Sequence, residues 1–128
     1  METLLLSDHC PDDIQRAGDI LRRGGLVAIP TETVYGLAAN ALDGEAVKKI
    51  YQAKGRPSDN PLIVHISRFS QLAPLVREVP ESAQKLAAAF WPGPLTIILP
   101  KSDVIPRQTS GGLDTVAVRC PSHPTARA

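Results

Sequence analysis

Two hydrophobic patterns alternate along this chain: apolar residues at helical spacing, and short unbroken apolar runs. Between Pro11 and Arg23, Ile14, Ala17 and Leu21 form one stripe with Ile20 beside it, which predicts an amphipathic helix. Arg22 and Arg23 fill its last turn and Gly24-Gly25 stops it. Leu26 to Ile29 is a short apolar run ended by Pro30, the pattern of a buried strand. Asp43 is placed to cap a second helix, Gly44 to Ala53, with Ala46, Val47, Ile50 and Tyr51 on one face. Leu62 to Ile66 predicts another strand. Helical segments follow near Ser70–Val76 and Glu81–Phe90, then strands at Pro94–Leu99 and Thr115–Arg119.

Strands alternating with helices predict an α/β layer structure around a mixed or parallel sheet. The length, 128 residues, fits one domain. Twelve prolines are spread along the chain rather than clustered, so they read as turns around short elements and not as a linker. From His123 to Ala128 the sequence starts a helix that does not develop. Either this tail frays or the chain is the N-terminal portion of a longer domain.

Charge changes the picture little. Lys and Arg total 14 against 13 Asp and Glu, a net of +1, so anion binding must come from local clustering. Cys10 and Cys120 make no disulfide framework and have no metal-ligand spacing, which suits free thiols in a reducing cytoplasm. The first residues lack the basic start and apolar core of a signal peptide. No apolar run approaches the roughly 20 residues of a membrane span. A soluble cytoplasmic protein with no membrane partner is expected.

The strongest chemical signal is Lys54-Gly55-Arg56-Pro57. Pro57 discourages helix at Arg56, and extended residues two apart point to one side. Lys54 and Arg56 can then grip a polyanion, or stand as solvated cations at a helix C-terminus. No Gly-x-x-x-x-Gly-Lys-Ser/Thr loop occurs, so side chains must supply much of any phosphate contact. Thr31-Glu32-Thr33 follows a strand and offers hydroxyls and a carboxylate. Glu32 reads as a general base, as an orienting group, or as part of simple capping. His65, within an apolar strand, is a packed histidine or a group facing a polar substrate. Phe90 to Thr96 reads as a rigid structural turn, and Gly111-Gly112 as a backbone that lets a ligand approach closely or as an ordinary hairpin loop before the last strand. Arg119, at that strand's end, meets a substrate carboxylate or forms a salt bridge.

Together these blocks resemble the YrdC-like family of threonylcarbamoyl-adenylate synthases. The resemblance rests on Pro30-Thr31-Glu32-Thr33-Val34-Tyr35-Gly36-Leu37, on Lys54-Gly55-Arg56-Pro57 with Asn60-Pro61-Leu62, on Trp91 to Thr96, and on Val116-Ala117-Val118-Arg119. It implies a YrdC-like α/β fold, a twisted open mixed sheet flanked by helices around a concave, positively lined cavity. The implied reaction joins L-threonine, bicarbonate and ATP into threonylcarbamoyl-AMP and pyrophosphate for the threonylcarbamoyladenosine modification of tRNA, with Mg²⁺ sharing the phosphate charge. Downstream tRNA threonylcarbamoyl-transfer enzymes would accept the adenylate.

By the same resemblance, Lys54, Arg56, Ser58 and Thr115 bind ATP, and Thr31, His65 and Arg119 border L-threonine. The family's downstream Ser-x-Asn element, which also contacts the nucleotide, does not occur before Ala128, so the sheet is expected to be incomplete at its C-terminal side. Two further readings stand beside this one: a non-catalytic nucleotide- or RNA-binding module, including double-stranded RNA, and a carbamoyl-transfer domain of hydrogenase maturation.

Overall fold

A computed structural model describes residues 2–55 and 61–128. Helix α1 spans Pro11–Arg22, strand β1 Val27–Ile29, β2 Gly36–Ala38 and helix α2 Gly44–Lys54. Strand β3 covers Ile63–His65, followed by two 3₁₀ turns, Phe69–Gln71 and Ala73–Leu75. Helix α3 is Glu81–Phe90, β4 Thr96–Pro100, α4 the single turn Arg107–Ser110, β5 Thr115–Arg119 and α5 the single turn Pro124–Arg127.

The strands form two sheets. β1 and β2 pair antiparallel, Ala28 opposite Leu37. The larger sheet has the order β3-β5-β4, with β5 parallel to β3 and antiparallel to β4. The expected mixed sheet with flanking helices is therefore present. Val116 and Val118 point to one side of β5 and are almost fully buried. They join Val64 of β3 and Ile66 just after it, Ile97 and Leu99 from β4, Leu72 between the 3₁₀ turns and Leu75 in the second, and Ala83 and Ala87 from α3 in one core. The two alanines give α3 a small-residue face, which suits close packing on the sheet.

Asp43 caps α2 as expected, accepting from the backbone N–H of Glu45 at 3.1 Å and Ala46 at 3.3 Å. Removing one such cap costs about 1 kcal/mol. Asp43→Ala should lower stability by about that amount, read from the urea midpoint at unchanged slope. Gly55 ends the helix at φ +65°, a left-handed conformation that disfavours any residue with a Cβ.

Three elements depart from the sequence expectations. The helix expected near Ser70–Val76 is two 3₁₀ turns, because Pro74 has no N–H to continue an α-helical ladder. The Gly111-Gly112 segment is no simple loop but the left-handed exit of α4. The tail closes into α5, where the His123 ring accepts from the Thr125 N–H.

Candidate functional site

Side chains alternate across a strand, so the face opposite the core carries Ile63 and His65 from β3, Thr115, Ala117 and Arg119 from β5, and Thr96 and Ile98 from β4. This face is largely open: Ile63 is 48% and Ile98 63% exposed. The register sets His65, Arg119 and Thr96 in one row across the three strands. Thr115 stands at the other end of β5, opposite Pro100. Four strand residues span about 13 Å at the usual rise of about 3.3 Å per residue. One sheet face thus has two polar ends.

At the first end the loop from Thr31 to Tyr35 folds over Arg119. Thr31 builds this loop: its hydroxyl donates to the Val34 carbonyl at 2.6 Å and accepts from the N–H groups of Thr33 and Val34, both at 3.2 Å. The Thr31 and Thr33 hydroxyls lie 3.0 Å apart. Arg119, only 7% exposed, donates through Nη1 to the Thr33 hydroxyl at 3.4 Å and through Nε to the Gly93 carbonyl at 3.1 Å, and its Nη2 pairs with Glu32. Thr31 and Arg119 are brought together through Thr33, and His65 joins them by strand register. The exposed His65 ring turns Nδ1 toward the Ile63 carbonyl at 3.1 Å.

Glu32 is no free base. Its second oxygen accepts from the Ser122 N–H, from the Ser122 hydroxyl at 2.6 Å and from the His123 N–H at 3.1 Å. With Arg119 on the other oxygen, the carboxylate is fully engaged. Its partners lie some 90 residues away in sequence, and no local pattern announces them.

The Trp91–Leu95 turn supports the same corner. Gly93 donates its N–H to the Cys120 carbonyl at 2.8 Å, and a Cβ on it would come within 2.6 Å of the Phe90 carbonyl, so only glycine fits. Trp91 serves the core rather than a ligand, its indole N–H donating to the Leu95 carbonyl at 2.8 Å. Burial raises the Cys120 thiol above its ordinary pKa, partly countered by the charge of Arg127, so it stays a poor nucleophile at neutral pH.

Lys54 occupies the exposed last turn of α2. Arg56 and Ser58 lie outside the described residues. The short helix α4 contacts both α2 and β5. Tyr51 donates its hydroxyl to the Gln108 carbonyl at 2.9 Å, and Thr109 donates to the Ala41 carbonyl at 2.7 Å. These bonds fix α2 relative to the Thr115 end of the sheet.

A concavity of about 800 Å³ lies beside the sheet and meets this face at His65. Of the candidate residues it touches only His65. Ile14, Ala17 and Leu21 of α1 line it with Val27, Ile29 and Tyr35. Asp8 and Asp13 also border it, against Arg127. The expected positively lined cavity is therefore not this one.

The molecule is an α/β protein whose sheet carries polar groups at strand ends, where open sheets commonly meet their ligands. Residues 19–128 match the Sua5/YciO/YrdC family model, described as "Telomere recombination", and the chain belongs to that family. It is 64% identical over 113 residues to a threonylcarbamoyl-AMP synthase of Pyrococcus abyssi, covering 88% of this chain and 33% of the relative. A Bacillus subtilis threonylcarbamoyl-AMP synthase is 58% identical over 124 residues, with 96% and 36% covered. The crystal structure of P. abyssi Sua5 complexed with L-threonine superposes with a TM-score of 0.88 at 63% identity, covering 90% of this chain and 34% of that one. The chain spans about a third of the length of these relatives.

Proposed function

We propose that this chain carries the substrate-gripping face of a threonylcarbamoyl-AMP synthase. The observation that carries the reading is the two-ended sheet face: Thr31, His65 and Arg119 gather at one end, and Thr115 stands about 13 Å away on the same face by strand rise. The likeness to a protein whose structure holds L-threonine supports giving the first end to that amino acid. Thr115, Lys54, Arg56 and Ser58 then hold ATP at the second.

No protein nucleophile is required. The threonine amine adds to bicarbonate and water leaves, giving a carbamate. A carbamate oxygen attacks the α-phosphorus of ATP and pyrophosphate leaves, giving threonylcarbamoyl-AMP. The work left to the chain is holding two anionic reactants in line and stabilising charge on phosphate. In this scheme Mg²⁺ arrives on the ATP phosphates and shares their charge. The adenylate would pass to enzymes that transfer the threonylcarbamoyl group to tRNA. Among the described residues no helix is long and apolar enough to cross a membrane.

The test is pyrophosphate release from ATP with bicarbonate and either L-threonine or 2-aminobutyrate, alongside calorimetric threonine binding. A site that reads the threonine hydroxyl should reject the analogue by at least tenfold. Equal rates would remove hydroxyl recognition. Absence of both threonine binding and threonine-dependent release would overturn the reading.

A further inference from the structure

We propose that Glu32 is a positioning residue of the amino-acid end of the site, acting through Arg119. The proposal rests on the threonine reading above for its ligand, but its geometry stands alone. Arg119 is buried, and a buried guanidinium needs a counter-charge. Glu32 supplies it at Nη2, while Thr33 and Gly93 take Nη1 and Nε. Three separate groups thus fix the guanidinium plane, and Glu32 is the only charged one.

Glu32 itself is fixed from the opposite side by Ser122 and His123. The carboxylate is a clasp. It fastens the Thr31–Tyr35 loop of the small sheet to the exit of β5 in the large one, and in doing so aims Arg119. Each guanidinium nitrogen makes one described contact and Nη2 is fully buried, so a ligand carboxylate approaching the His65–Arg119–Thr96 row would meet Arg119 at Nη1, which carries a second N–H. Glu32 and that ligand carboxylate are neighbours on one arginine, with the serine and amide donors drawing Glu32 charge away from the ligand.

Glu32→Gln keeps the size and removes the charge. The experiment compares it with the unaltered chain in calorimetric binding of L-threonine and of ATP, and in amide hydrogen exchange of residues 31–35. The expected result is a threonine dissociation constant raised at least tenfold, an ATP constant changed less than twofold, and faster exchange confined to 31–35 and 120–123. A purely structural role would weaken both ligands together. Unchanged threonine affinity, or equal loss for both ligands, would overturn the proposal.

If the unaltered chain binds no threonine, the functional reading fails and exchange alone judges the clasp: unchanged protection at 31–35 in Glu32→Gln would end it. Should Glu32→Gln lose its cooperative melt, Ser122→Ala, which deletes a single donor to the carboxylate, carries the same readouts with smaller shifts.

Discussion

Arg119→Ala should destabilise the fold by about 3 kcal/mol and abolish measurable threonine binding. The stability loss follows from burial. Removing one partner of a buried ion pair leaves the other charge uncompensated, at a typical cost of about 3–5 kcal/mol. The lower end applies because Glu32 keeps its bonds from Ser122 and His123 and its side chain is 24% exposed. Urea unfolding of the two single variants and the double Glu32→Ala/Arg119→Ala variant would separate the pair energy from the rest. A single-variant loss below about 1 kcal/mol would show that the pair is weakly formed in solution. Threonine binding retained in a folded Arg119→Ala protein would remove the carboxylate contact.

Lys54→Ala and Arg56→Ala should each weaken ATP binding about tenfold to a hundredfold, the equivalent of about 1.5–3 kcal/mol for a hydrogen bond to a charged group. The two cations stand two residues apart in sequence across Gly55, which ends α2 in a left-handed conformation. Lys54 sits in the last turn of α2, where the dipole favours cations even without a ligand, so its stability effect should be small. The expected pattern is therefore a large change in affinity with little change in unfolding midpoint. Calorimetry on the double variant decides it: unchanged ATP affinity would remove the clamp, and a lowered midpoint would make the residues structural.

Much of the fold was legible because the signals are local. Asp43, the Gly24-Gly25 stop and the apolar run before Arg119 each act within a few residues, and β5 appears at Thr115–Arg119 as predicted. β2 escaped notice because Gly36-Leu37-Ala38 is short and follows a motif rich in polar groups. Its pairing with β1 is decided by register and not by propensity. Helix α4 could have been found from Pro106 before it and Gly111-Gly112 after it, the proline-start and glycine-stop asymmetry of helices.

The site divides in the same way. Which residues carry charge and hydroxyls was visible along the sequence. That Glu32 would be consumed by Arg119, Ser122 and His123 was not, since those partners lie some 90 residues away in sequence and meet it only in the folded chain. The apolar stripe of α1 was correctly periodic. It faces a concavity instead of the main core, which periodicity alone does not distinguish.

The long reach of the Glu32 clasp also sets an order of events during biosynthesis. The α1 helix, the β1–β2 pair and the capped α2 use contacts near in sequence and can form as soon as they leave the ribosome. The clasp cannot close until Ser122 has been added, 90 residues after Glu32. At about 5–20 residues per second that interval lasts roughly 5 to 18 s. Through it, Glu32 is a solvated carboxylate and Arg119 does not yet exist. The corner where Glu32 meets Arg119 is therefore assembled later than the elements before it, and a nascent chain arrested before β5 would hold the first motif without its arginine.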